Sequence, residues 1–152
     1  MEKPTLPTTP QSPIPPKRII DRLEVGSRAS FTRTFTDGDV AMFIGVTWDV
    51  NPYHTDETFA RQTKFAHRIV PGLLTAGLLT HLGGLWTFLA TEMHFRFLAP
   101  VYIGDTITAS AEIVEFEPKT GWVRLDCECR NTAGSLVLKA DVTGFPGGIN
   151  SL

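Results

Sequence analysis

From residue 28 the chain alternates in the way of a half-buried strand. Phe31 and Phe35 share one parity, Ser30, Thr32, Thr34 and Thr36 take the other, and Arg33 interrupts the apolar set. Thr36-Asp37-Gly38-Asp39 then places a hydroxyl three positions ahead of an acid, the pattern of a capping box. Val40, Phe43 and Ile44 follow at i, i+3 and i+4, which predicts a short helix with one apolar face. Thr55-Asp56-Glu57 reads as another cap, with acids in the first turn of a second short helix ending near Gln62. Residues 63–70 form a connection. Pro71 then takes a favoured first helical position, followed by a strongly apolar run to about Gly83.

That run admits two readings. Ile69 to Ala90 contains no Asp, Glu, Lys or Arg and is long enough to cross a bilayer. Against a membrane span stand Gly72, Gly77, the Gly83-Gly84 pair, His81, several threonines and the lack of a second such stretch. A helix apolar on all sides is also what a small domain buries at its centre, and a buried helix is the expectation. The last third reads as strands. Met93, Phe95 and Phe97 alternate with His94 and Arg96, and long strands are predicted over 107–116, 122–130 and 136–145. The turns between the long strands are rich in Pro, Gly and Asn and short, so the strands form an antiparallel meander.

One wholly apolar helix and about five antiparallel strands pack most simply as an α+β domain in which a curved sheet wraps a long central helix. The long strands leave open edges, and edge-to-edge pairing with a second copy predicts a homodimer or a higher homo-oligomer. The domain is expected over residues 28–152. Residues 1–27 form a Pro-rich N-terminal arm, six of whose first 17 residues are proline, a composition that cannot bury a core.

Composition changes this picture only by exclusion. The net charge is −2 with no basic run, so a nucleic-acid partner is not expected. Cys127 and Cys129 read as reduced thiols of a cytoplasmic protein, and no signal peptide is legible. Neither a metal nor a cofactor is expected: His67, His81 and His94 lack acidic partners at ligand spacing, and no phosphate-binding or dinucleotide glycine pattern occurs.

The candidate chemistry lies in Thr47-Trp48-Asp49-Val50-Asn51-Pro52-Tyr53-His54, where an acid, an amide and an imidazole fall within six positions stiffened by Pro52. A carboxylate and an imidazole sharing one water can take a proton from it and hand one on. The same spacing also allows Asp49 and Asn51 simply to make Asx turns and His54 to cap the next helix. Gly72 is the second candidate. It offers the first backbone N–H of the apolar helix, where helix geometry leaves the donor unpaired and favours negative charge.

Three segments together resemble the MaoC-like dehydratases and (R)-specific enoyl-CoA hydratases. Residues 43–54 resemble the family's D-x-N-P-x-H signature, residues 65–74 (FAHRIVPGLL) its following I-A-H-G-M-L segment, and residues 95–105 (FRFLAPVYIGD) its R-F-x-x-P-V-x-x-G-D strand and turn. The resemblance implies a hot-dog fold, a long helix wrapped by an antiparallel sheet and usually dimeric. It implies reversible hydration of a trans-2-enoyl thioester of CoA or acyl carrier protein to the (R)-3-hydroxyacyl product. Carried over by position, Asp49 and His54 would hold and activate the water, Asn51 would support the loop, and the Gly72 N–H would bind the thioester oxygen. Two positions depart from the pattern: Trp48 stands where a glycine is usual, and Pro71 where a histidine is usual. A bulky Trp48 would shorten or line the acyl pocket, or displace Asp49. The link between Gly84 and the Met93 strand is short for an acyl-covering loop. Two other readings remain at this point. A non-catalytic binding or partner subunit would have Trp48 closing the pocket, and a hot-dog thioesterase would need a carboxylate near the central helix, where residues 69–90 carry none.

Overall fold

A computed structural model describes residues 23–146. Most of the expected Pro-rich arm lies outside the described residues, and packing begins before Arg28. Leu23 lies against the core, and Gly26 and Ser27 exchange backbone hydrogen bonds with Ile113 at 2.8 and 2.9 Å. The elements in chain order are β1 (Arg28–Thr34), α1 (Asp37–Thr47), α2 (Pro52–Thr55), α3 (Glu57–Arg61), α4 (Gly72–Ala76) and α5 (Leu78–Leu85). They are followed by β2 (Phe88–Phe97), β3 (Thr106–Glu117), β4 (Trp122–Asn131) and β5 (Leu136–Pro146).

The five strands form one antiparallel sheet in the order β1-β3-β4-β5-β2. The expected meander β3-β4-β5 is its centre, and β1 and β2 are its edges. The alternation along β4 decides which face is covered: Val123, Leu125, Cys127 and Cys129 all point inward and are buried. Both thiols are free, and burial pushes each up to about 12. β2 begins at Phe88, five residues ahead of the alternation that starts at Met93, so only Trp86 and Thr87 separate it from α5. Its pairing with β5 is interrupted by a bulge between Ala90 and Glu92.

The capping box at Thr36 forms as expected. The Thr36 hydroxyl accepts from the Asp39 amide, and the buried Asp39 carboxylate accepts from the Thr36 amide and hydroxyl. Those hydrogen bonds, with Arg33 paired to the same carboxylate, hold the Asp39 carboxyl below the usual carboxylate range. The interruption of the strand pattern at Arg33 therefore has a structural purpose: it brings a cation to a buried acid.

The central helix departs from expectation in two ways. Pro71 is the N-cap residue, with extended ψ, and Gly72 is the first helical position. The run is also not buried on all sides. Leu78, Leu79 and Leu82 face the sheet, but Leu73, Thr80, His81, Gly84 and Leu85 form an exposed stripe at helical spacing. One five-stranded sheet covers one flank of a helix and leaves the other open. His81, expected inside, lies at the surface with its ring 4.0 Å from that of Phe31. Gly77 divides α4 from α5 but keeps right-handed helical dihedrals, so the two pieces run on as one. No helix among the described residues is long and apolar enough to cross a membrane.

Candidate active site

α1 ends at Trp48, whose φ of 59° puts it in the left-handed region while its N–H closes the helix on the Ile44 carbonyl at 2.8 Å. Glycine suits such a position because it has no Cβ to clash. The reversal turns the indole outward, leaving Trp48 83% exposed and outside the cleft described below. The expectation that its ring would line or shorten the pocket is not met. Asp49 follows on the other side of the reversal. Its Oδ1 accepts from the Asn51 amide at 3.4 Å, and Asn51 Oδ1 in turn accepts from the Tyr53 amide at 3.2 Å, capping α2 with Pro52 as its first residue. Asn51 itself is exposed and does not line the cleft. It supports the loop.

His54, at the far end of that turn, is buried and does not cap the next helix. Its Nδ1 lies 2.8 Å from the Ile69 carbonyl oxygen. A carbonyl can only accept, so Nδ1 carries a proton and Nε2 is left as the basic nitrogen. Nε2 faces Asp49 Oδ2 at 3.8 Å, too far for a direct hydrogen bond and a suitable span for a shared water.

The connection 63–70 is what fixes His54. Ile69 N–H donates to the Tyr53 carbonyl at 3.1 Å, and Val70 N–H to the Val101 carbonyl at 2.7 Å. Tyr102 Oη donates to the Phe65 carbonyl at 3.1 Å, and the Tyr53 ring meets those of Phe59 and Phe65 edge-on. Below this layer Glu57 accepts from the His67 ring, the Arg68 amide and the Arg61 guanidinium, and these hold its carboxyl down to about 2. His67 and His94 thus each have a carboxylate partner, Glu57 and Glu92, that spacing alone did not reveal.

Asp49, His54 and Gly72 line one cleft of about 530 Å³. Its other walls come from 64–75, from Phe97 to Val101 and from Val137, so all three segments singled out in the sequence meet there. The lining is mainly apolar, as a site for an acyl chain requires. Gly72 is there for closeness: a Cβ on it would stand 2.9 Å from the Phe97 ring. Three lining residues lie outside those segments: Lys64, Thr75 and Val137. Lys64 stands 5.2 Å from the centroid of the Phe65 ring. Phe97 packs on Gly72, and Thr75 follows Gly72 by three positions on the same face of the helix. That i+3 spacing was the available signal for Thr75.

A helix clasped by a curved antiparallel sheet, with an acid and an imidazole aimed at an apolar cleft beside its first turn, is the hot-dog architecture in its hydratase arrangement. The sequence model of the MaoC-like domain family matches residues 22–129, and the chain belongs to that family. It is similar to the (R)-specific enoyl-CoA hydratase of Rhodospirillum rubrum, with 32% identity over 126 residues that cover 80% of this chain and 86% of that protein. It is also similar to a mitochondrial 3-hydroxyacyl-acyl-carrier-protein dehydratase of Solanum lycopersicum, with 34% identity over 81% of this chain and 77% of that one. Among solved structures, the (R)-hydratase from A. caviae involved in PHA biosynthesis superposes with a TM-score of 0.79 at 29% identity, covering 82% of this chain and 98% of that one.

Proposed function

We propose that this chain catalyses the reversible addition of water to trans-2-enoyl thioesters, giving (R)-3-hydroxyacyl thioesters. The observation that carries the reading is His54 Nε2 facing Asp49 Oδ2 at 3.8 Å in an apolar cleft that also holds Gly72. A water at about 2.8 Å from each atom donates one proton to Nε2 and the other to the carboxylate. As its oxygen bonds to C3, His54 takes the first proton, and the C2=C3 electron pair shifts toward the thioester oxygen. The Gly72 N–H donates to that oxygen as charge develops on it. His54 then returns the proton to C2, so one water is added and the imidazole is restored. The reverse sequence is dehydration. The thioester is proposed to be carried on CoA or on acyl carrier protein, and the Lys64 ammonium at the cleft suits the phosphate that both carriers present.

The chain is further proposed to work as a homodimer. The edges of β1 and β2, unpaired among the described residues, and the exposed stripe through Leu73 and Leu85 support this reading. The test of function is the loss of enoyl-thioester absorbance with crotonyl-CoA. Asp49→Asn and His54→Gln are each expected to cut turnover by roughly 10²–10⁴-fold with the circular dichroism spectrum unchanged. No turnover by the wild-type chain with short, medium or branched enoyl-CoA, or with acyl-carrier-protein thioesters, would overturn the reading.

A further inference from the structure

A threonine in a helix ordinarily returns its hydroxyl to a carbonyl three or four residues back. Four threonines in the described helices and turns do so. Thr47 Oγ1 donates to the Phe43 carbonyl at 2.7 Å, Thr55 to that of Asn51 at 3.2 Å, Thr63 to that of Ala60 at 2.8 Å, and Thr80 to that of Gly77 at 2.6 Å. Thr75 does not. It is 3% exposed, and its Oγ1 is a buried side-chain polar atom with no hydrogen-bond partner among the described residues. The carbonyl four residues back, on Pro71, already accepts from the Leu74 and Thr75 amides at 3.0 and 3.2 Å. A buried hydroxyl left unpaired is a standing cost to the fold, and valine would fill the same space without it. Thr75 is one of the residues that line the cleft holding Asp49, His54 and Gly72.

We infer that the Thr75 hydroxyl is a catalytic donor that completes its hydrogen bond only with substrate, by donating to the thioester oxygen beside the Gly72 N–H. The inference rests on the hydration reading for the reaction it serves. Helix geometry supports the assignment to the thioester end rather than to the water. Gly72 and Thr75 are three apart on one helix face, and a helical side chain leans toward the N-terminus, so the hydroxyl leans toward the Gly72 turn. Asp49 and His54 reach the cleft from a different segment, the loop after α1. The enolate oxygen then has one donor from the main chain and one from a side chain, and the hydroxyl needs no proton transfer to serve it.

The test compares wild type with Thr75→Val and Thr75→Ser. Thr75→Val is expected to lower kcat for crotonyl-CoA by roughly 10²-fold, the usual effect of removing one donor to a developing oxyanion. Its KM should stay within about threefold, because the lost interaction strengthens only as charge develops. Its urea midpoint should hold or rise, because an unpaired hydroxyl has become a methyl group. Thr75→Ser keeps the donor and should restore most of the kcat. A merely structural threonine would show the opposite: a lower urea midpoint in Thr75→Val with kcat preserved. Either an unchanged kcat in Thr75→Val or a failure of serine to restore it would overturn the inference. A wild-type chain inactive on every enoyl thioester would overturn the hydration reading, and the donor would then be read directly. With butyryl-CoA labelled by ¹³C at the thioester carbonyl, the infrared band of the bound ligand should lie lower in wild type than in Thr75→Val. Equal bands, or no binding of butyryl-CoA to wild type, would overturn the inference on that ground too.

Discussion

Replacing Asp39 by asparagine tests how the start of α1 is held, and with it the placement of the Asp49 loop at the other end of that helix. The Asp39 carboxylate is buried and accepts from the Thr36 amide and hydroxyl, both at 2.8 Å, while Arg33 pairs with its other oxygen. Asparagine keeps one acceptor, enough for the Thr36 amide, but turns a donor toward Thr36 or Arg33. A hydrogen bond to a charged group contributes about 1.5–3 kcal/mol, and the half-exposed Arg33 adds less than about 1 kcal/mol because water screens it. Allowing for the bond that asparagine retains, the expected loss is about 2 kcal/mol at pH 7. The effect must also depend on pH in a fixed direction. The folded state lowers the Asp39 pKa from 3.8, so the carboxylate's contribution is fully present above that value. It is lost as the pH falls through the lower, folded-state pKa. Urea unfolding of both proteins at one fixed protein concentration, repeated downward from pH 7, measures this directly. Wild type and Asp39→Asn should converge below pH 4. A difference under about 0.5 kcal/mol at pH 7, or one that stays constant into acid, would refute the account of Asp39.

Three further outcomes are expected. Gly144→Ala puts a Cβ 2.1 Å from the Leu89 carbonyl oxygen and 2.9 Å from the Ala90 Cα at the β2 bulge, where only backbone movement gives room. It should cost about 3 kcal/mol and lower the thermal midpoint by roughly 10 °C, and an unchanged midpoint would mean that β2 yields freely. The buried thiols of Cys127 and Cys129, raised to about 12, should ignore an aromatic disulfide reagent at pH 8 in the native protein. Both should react in urea, and rapid native labelling would show that β4 is not covered as described. Trp48→Gly relieves a left-handed backbone at the cost of a more flexible unfolded chain, and it loses little burial. Stability should stay within about 1 kcal/mol and turnover should be little changed, and a large drop in kcat would place the indole in the working site after all.

Local pattern was enough for much of this protein. The strand alternation from β3 to β5 was legible because one face of each strand is dry and the other wet, and the turns between them carry the residues that reversals need. The Thr36 cap was legible because capping is a contact between residues two or three apart, whereas the cap read at Thr55-Asp56-Glu57 falls on Asp56, Thr55 being the last residue of α2. Asp49, His54 and Gly72 were legible as candidates because an acid, an imidazole and an amide donor each announce themselves by residue type.

The tertiary structure decided what those residues face. The strand order β1-β3-β4-β5-β2 brings the segments 49–54, 64–75 and 97–101 into one cleft, although their own sequences carry no record of that meeting. The proton on His54 is placed by the carbonyl of Ile69, fifteen positions away. The apolar run from Ile69 looked buried on every side because hydropathy counts residues and not neighbours, and one sheet can cover only one flank. Trp48 looked like an obstruction because its size is visible in the sequence and its left-handed φ is not. Thr75 looked like any helical threonine until packing showed a buried hydroxyl with nothing to bond. Short-range chemistry writes itself into the sequence, whereas a partner across the fold, or the lack of one, exists only after the chain has closed on itself.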